Sequence, residues 1–325
     1  MKAVICKSLI GPQGLEIADL PDPQPSDGEV VVAVEACALN FFDTLITRGN
    51  YQHKPELPFS PGGEIAGIIE AVGGGVEGWR TGDRVAAYLG WGGAREKVVV
   101  GAGRLVAIPE GVSSAAASGV SITYGTAIHG LRDRGQLMPG ETVAVLGASG
   151  GAGLAAVELA AAMDARVIAV ASSTQKLEVC RTHGAHDLID YTKVDLKKCL
   201  RELTAGRGVD VVYDCVGGDS AEPAVRALAW GGRYLVVGFA SGEIPKLPLN
   251  LLLLKGAAAI GVFWGEAVRR DPAGHRANMS DVLAWVSNGT LKAKVGCTLP
   301  LESAGKGLRL IDERIAVGKI VLTTK

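Results

Sequence analysis

With 325 residues, 48% apolar and 21% charged, the chain is long enough for about two domains that each bury a core. A net charge of −1 at pH 7 gives no electrostatic footing for nucleic acid or an anionic membrane. Six scattered cysteines (Cys6, Cys37, Cys180, Cys199, Cys215 and Cys297), without a CxxC pair, argue against a zinc lobe or a disulfide framework and suit a reducing compartment.

The start, MKAVICKSLIGPQG, lacks the long apolar core of a signal peptide. The most apolar late run, 249–264, is broken by Lys255 and Gly256 and makes no membrane span. A soluble cytoplasmic protein is expected.

The first third reads as β-rich. Residues 2–9 and 15–20 pair as strands across Gly11-Pro12-Gln13-Gly14, and Pro21, Pro23 and Pro25 make an extended connector. Further strands are expected at 29–38, 64–72, 83–88 and 96–100, with a short helix over 42–47. The glycine turns between them suit a small, irregular barrel. Ser113 caps a helix through 115–117, and a longer helix covers 123–134, ended by Gly135 and by Pro139-Gly140.

The most informative stretch is 142–171, TVAVLGASGGAGLAAVELAAAMDARVIAVA. An apolar, β-branched strand runs into Ala148-Ser149-Gly150-Gly151-Ala152-Gly153, then a helix to about Met163 and a second strand over 166–171. That is the size and order of a βαβ unit. Gly150 and Gly151 allow a ligand close to the backbone, and Gly153 allows the helix to pack tightly on the strand. The N–H groups and dipole at the helix start favour a pyrophosphate. Ala148 replaces the first glycine of GxGxxG, so the flanking strand and helix carry the assignment. The same letters satisfy GxSxG, a serine nucleophile elbow at Ser149. The alternating strands and helices expected upstream of such an elbow are absent, and no convincing acid and histidine follow in order.

Beyond the unit, strands at 187–191, 209–215, 233–239 and 257–264 alternate with helices at 196–204 and 221–230. This is a doubly wound α/β pattern, whose ligands bind at the carboxyl ends of the strands. One more helix is expected at 278–288, and 291–322 reads as short strands and a helix.

The ordered set Asn40-Phe41-Phe42-Asp43, PGGEIAG at 61–67, GDRV at 82–85, TYGTA at 123–127, Ala148 to Gly153, GVDVVYD at 208–214, GGR at 231–233, VGF at 237–239 and GKIV at 318–321 spans the chain. It resembles the zinc-independent quinone oxidoreductases of the medium-chain dehydrogenase/reductase superfamily, relatives of ζ-crystallin. The resemblance implies a GroES-like irregular β-barrel catalytic domain over 1–121 and 265–325. It also implies a Rossmann doubly wound parallel-sheet domain over 122–264 that binds NADPH.

Zinc-dependent relatives place a cysteine where Asn40 stands and a histidine where Gly63 stands. Neither residue supplies the thiolate or imidazole of a tight zinc site. Glu64 remains, with structural hydrogen bonds expected of it. His183 and His186 lie in a polar loop with no third ligand evident, so no metal is expected.

NAD enzymes usually carry an acid at the end of the second Rossmann strand. Here Ala171 stands there, followed by Ser172, Ser173 and, after two residues, Lys176, which accept a 2′-phosphate; Lys176 also reads as an ordinary exposed lysine. The resemblance puts Tyr191 near the adenosine ribose, although a core tyrosine fits as well. It puts Asn40, Asp43 and Tyr51 on the acceptor side. Asn40 could hydrogen-bond an acceptor carbonyl, and Tyr51 could donate to it. Asn and Asp also cap short helices. Thr126 is expected to face the nicotinamide or phosphate and Lys319 the cleft. Cys215, Val216 and Phe239 are expected at strand ends facing the nicotinamide, with Phe263 also among the cofactor residues.

The reading is an NADPH:quinone reductase acting on a small quinone or enone. The alternatives are an NADPH-dependent enoyl or alkenal double-bond reductase and a non-enzymatic NADPH-binding protein of the crystallin kind. The run 257–264 forms the last strand of the sheet and no Pro or charge blunts it, so a homodimer paired through this edge is expected.

Overall fold

Six parallel strands build the middle of the chain. In spatial order they are Asp187–Asp190, Arg166–Ala171, Thr142–Leu146, Val209–Asp214, Leu228–Val236 and Ala258–Gly261. Numbered along the chain, this is the 3-2-1-4-5-6 order of a dinucleotide-binding sheet. All five residues of Thr142–Leu146 are buried, as a central parallel strand with both faces covered requires. The computed structural model describes residues 1–324 and forms two compact units, Met1–Ile122 with Val268–Lys325, and Thr123–Ala267.

In the first unit the strands Glu29–Leu39, Glu64–Val72, Arg84–Tyr88 and Leu105–Ala107 pair antiparallel in sequence, and Lys97–Gly101 adds to the first of them. Lys319–Thr323 pairs antiparallel with 36–39, and Val295–Pro300 lies parallel beside it. The tail therefore closes the sheet that the first third began. Val32, Ile65, Ile69, Val85, Leu308 and Leu322 belong to its core. A separate hairpin pairs Lys2–Cys6 with Leu15–Asp19.

Several elements depart from the sequence reading. The helix expected over 123–134 starts at Val120, runs to Ile128, and widens into a π turn over His129–Arg134. The aromatic ring of Tyr213 stands against Gly130, 2.9 Å from where a Cβ would lie. The helix expected to 230 ends at Arg226, and its strand begins at Leu228 rather than 233. Leu228 pairs with Val209, then the chain bulges through Trp230 and the left-handed Gly231 before Arg233 rejoins the ladder. The edge strand, expected over 257–264, covers only Ala258–Gly261. Trp264 instead starts a helix, and its indole fits against Gly125, where a side chain would leave no room. The helix expected from 278 starts at Pro272, capped by Asp271, whose carboxylate accepts from Gly274 N at 2.9 Å. Among the described residues, no helix is long and apolar enough to cross a membrane.

Candidate functional site

The glycine turn follows from two steric facts. Gly147 takes φ +72°, left-handed backbone that disfavours a side chain, and turns the chain at the strand end. Gly153 has Gly147 O at 2.2 Å from its missing Cβ, so only glycine lets the helix Gly151–Ala162 sit this close to the turn. Gly150 meets only one atom, at 3.5 Å, and leaves that side open. The first N–H groups of a helix have no partner within it, so Gly151, Ala152 and Gly153 present donors at the carboxyl end of the central strand. In sequence Gly147 continues the apolar run into Ala148, but the strand ends at Leu146. The spacing of three from Gly147 to Gly150 and again to Gly153 was the available signal.

The second strand ends at Ala171, and Tyr191 N donates to Ala171 O at 3.2 Å, which ties the end of the third strand beside it. Ser173 caps the helix Thr174–Thr182 by accepting from Lys176 N. Lys176 Nζ donates to Ser172 Oγ at 3.3 Å. Ser172, Ser173 and Lys176 thus form one polar corner, with Tyr191 next to Ala171, and no acidic residue stands at the end of the second strand. The nearby Asp190 is turned to its own loop, accepting from Thr192 and pairing with Lys193.

Val216, just past the fourth strand, lies over Gly147, and Phe239 lies over the left-handed Gly217. Ala240 N donates to Cys215 O at 3.1 Å, which holds the Phe239 loop at the strand ends. Asp214 fixes this corner: Oδ1 accepts from Val216 N and Gly217 N, and Oδ2 from the Tyr234 hydroxyl. Burial pushes the Cys215 thiol up, and the neighbouring Asp214 adds to it, so Cys215 is no thiolate nucleophile. Thr126 is half-buried on the helix whose Gly125 receives Trp264, and Phe263, half-exposed, precedes that tryptophan.

The residues expected on the acceptor side lie in the first unit. Asp43 closes the start of the helix Phe41–Ile46: Oδ2 accepts from Asn40 N at 2.8 Å and Oδ1 from Gly62 N at 2.9 Å. Burial pushes its carboxyl up to about 7, against the pull of those two amides and of Lys319. The Tyr51 ring packs tilted against Phe42, with centroids 5.5 Å apart, and against His53 at 5.9 Å. Burial raises the Tyr51 phenol, and Asp43 raises it further, so the hydroxyl keeps its proton at neutral pH. Tyr88, opposite Glu64 in the ladder, is pushed up to about 12 by burial first.

Lys319, expected to face the cleft, is tied to Leu39, Asn40 and Glu64. Its Nζ donates to Leu39 O at 3.0 Å, Asn40 Oδ1 at 2.5 Å and Glu64 Oε1 at 2.8 Å. Three donors meet three acceptors, and none remains for a cofactor phosphate. Asn40 is committed too: its Nδ2 donates to Glu64 Oε1 at 3.0 Å and Ala38 O at 3.3 Å. Ile122 N fills Glu64 Oε2 at 2.8 Å.

This donor set does not fit zinc. A lysine ammonium stands among its oxygens, and a histidine at position 63 would have to displace the Phe42 ring, whose Cζ lies 2.4 Å from the missing Cβ of Gly63, with Gly90 O at 3.0 Å. Among the described residues, no group of three or more His, Cys, Asp or Glu side chains is placed to hold a metal.

A family model described as zinc-binding dehydrogenase matches residues 151–288, and one described as alcohol dehydrogenase GroES-like domain matches 26–110. The chain is 39% identical over 326 residues to the quinone oxidoreductase-like protein 2 homolog of Nematostella vectensis, covering 100% of this chain and 89% of that protein. It is 30% identical to the quinone oxidoreductase of Homo sapiens, covering 99% of this chain and 97% of that protein. The crystal structure of Escherichia coli quinone oxidoreductase complexed with NADPH matches with a TM-score of 0.91 at 27% identity, covering 99% of this chain and 100% of that one.

Proposed function

Because the chain belongs to the zinc-independent quinone oxidoreductase family of the medium-chain dehydrogenases/reductases, we propose that it is an NADPH-dependent oxidoreductase that reduces quinones. The observation that carries the cofactor choice is the corner of Ser172, Ser173 and Lys176 beside Ala171, where an NAD enzyme would set an acid. The pyrophosphate is held at the start of the helix Gly151–Ala162, and Val216, Cys215, Phe239, Thr126 and Phe263 shape the nicotinamide side.

The cofactor supplies the hydride. This chain's part is to orient it and to present a hydrogen-bond donor to the acceptor's oxygen. Tyr51 is that donor, since its raised phenol keeps its proton at neutral pH. Asp43 holds the helix start through its two backbone bonds.

The sheet edge supports a homodimer. Ala258, Ala259 and Gly261 are exposed, and Leu249, Leu253, Leu254 and Trp230 on the same unit are each more than two-thirds exposed. An open, apolar strand edge is covered most simply by its own copy across a twofold axis. Six free cysteines suit the reducing cytoplasm.

The test is an NADPH oxidation screen across quinones, enals and enoyl-CoA esters. Turnover confined to quinones supports the reading. Preference for enoyl or alkenal substrates assigns the double-bond reductase instead. Tight NADPH binding with no acceptor turned over assigns a binding protein. Within the leading reading, Tyr51→Phe lowers turnover at least about tenfold and leaves NADPH binding unchanged.

A further inference from the structure

We propose that Lys319 is the internal cation of the barrel unit and a positioning residue for its acceptor side. Through Asn40 and Glu64 it fixes the start of the helix that carries Phe42 and Asp43. The proposal rests on the reading that Tyr51 faces the acceptor.

The hydrogen-bond accounting is closed. Lys319 Nζ has three N–H groups and three oxygens around it, from Leu39, Asn40 and Glu64. Asn40 Nδ2 has two N–H groups and two oxygens, from Ala38 and Glu64. Glu64 Oε2 takes the Ile122 amide. The Lys319 and Glu64 side chains are 7% and 0% exposed and pair at 2.8 Å, so removing either partner leaves an uncompensated buried group. The lysine stem runs past Gly119, whose missing Cβ would lie 3.0 Å from Lys319 Cγ.

Two consequences follow for Asn40. Its carboxamide has no donor left for an acceptor carbonyl; donating one would take a hydrogen bond from Glu64 Oε1 or from Ala38 O in a buried site. Its carbonyl is instead a ligand of the ammonium. Leu39 and Asn40 join the strand Glu29–Leu39 to the helix Phe41–Ile46, so the cation grips the junction itself. Phe42, the second residue of that helix, fills the space over Gly63 and packs against Tyr51. A positive charge buried at position 319 thereby reaches the phenol through packing, with no contact of its own to the acceptor.

The experiment compares Lys319→Met, Asn40→Ala and the double variant by thermal midpoint, NADPH titration and steady-state kinetics with a benzoquinone. Each single variant should lose about tenfold or more in kcat while the NADPH constant stays within about twofold, and the double should be little worse than the poorer single, because the residues act as a unit. Methylammonium or ethylammonium should restore part of the kcat of Lys319→Ala in a saturable manner. The thermal midpoints should show the same non-additivity. Should Lys319→Met fail to fold, Lys319→Met with Glu64→Gln removes the uncompensated charge and carries the comparison. Wild-type kcat in Lys319→Met, fully additive losses, or a tenfold weaker NADPH constant with kcat retained each overturn the proposal; the last returns Lys319 to the cofactor. A wild-type protein that turns over no acceptor would sink the quinone-reductase reading alone, and the midpoint cycle would still decide the cluster.

Discussion

Val216 Cγ2 stands 2.8 Å from where a Cβ on Gly147 would lie, so the turn after the first strand and the end of the fourth are in direct register. Gly147→Ala meets both that contact and left-handed backbone, at a cost of about 1–2 kcal/mol from the backbone alone. Gly153→Ala is worse, because the atom it meets is backbone oxygen, Gly147 O at 2.2 Å, which does not move aside as a flexible side-chain tip would. Denaturant midpoints should fall in both variants, with overpacking at Gly153 adding about 1–3 kcal/mol, and NADPH affinity should fall with them. Wild-type stability in Gly153→Ala would refute the packing argument.

Lys176→Ala should raise the NADPH dissociation constant roughly tenfold or more, since one charge-assisted phosphate contact is worth about 1.5–3 kcal/mol. NADH binding should be nearly untouched. Fluorescence titration of both cofactors checks this, and equal wild-type affinity for the two would sink the assignment.

Activity should survive exhaustive chelation, and elemental analysis of the purified protein should find no zinc. Asn40, Gly63 with Phe42 over it, and the Lys319 ammonium leave no ligand set. A stoichiometric zinc ion would contradict this.

Asp43 makes stability depend on pH in a defined direction. Its folded value, raised to about 7, exceeds the roughly 3.9 of an unfolded aspartate. The folded protein therefore holds a proton that the unfolded chain has released. The contribution is complete below about pH 4 and is lost as pH rises toward about 7. Urea midpoints at pH 5 and pH 8 should show the decline in the wild type and a smaller one in Asp43→Asn. Identical slopes in the two proteins would show that another group is responsible.

Ile260→Pro places a residue without an N–H in the exposed strand Ala258–Gly261 and should give monomers or aggregates. Light scattering at micromolar concentration reads the mass. A wild type that is already monomeric there would rule out the paired edge.

How much of this was legible depends on how local the cause is. The strands Glu64–Val72 and Arg166–Ala171 fall at the bounds read from their apolar, β-branched runs, because the glycines and polar residues beside them stop the pattern. The carboxyl-end corner of Ser172, Ser173 and Lys176 needed only a missing acid. The edge strand was drawn too long because apolarity cannot distinguish a strand residue from Trp264, which is buried by docking on Gly125 far upstream. The hydrogen bonds of Lys319 are not legible in the sequence, because its partners Asn40 and Glu64 lie 279 and 255 residues away and no periodicity or spacing records such a pairing. Trp230 was read as the end of a helix. The glycine pair after it bulges the ladder, and the indole is left 81% exposed.

The separation of Glu64 and Lys319 also sets an order of events during synthesis. At roughly 5–20 residues per second, the sequence separation of 255 takes about 10–50 s to be synthesised. The unit Thr123–Ala267 has all of its strands in one uninterrupted stretch and can close while the barrel still waits for the strand that carries its cation. Until then the Glu64 carboxylate has no counter-charge and must stay wet, so the barrel interior cannot dry before translation has passed Lys319. A nascent chain arrested short of that residue should therefore present a protease-resistant middle unit flanked by a cleavable first third.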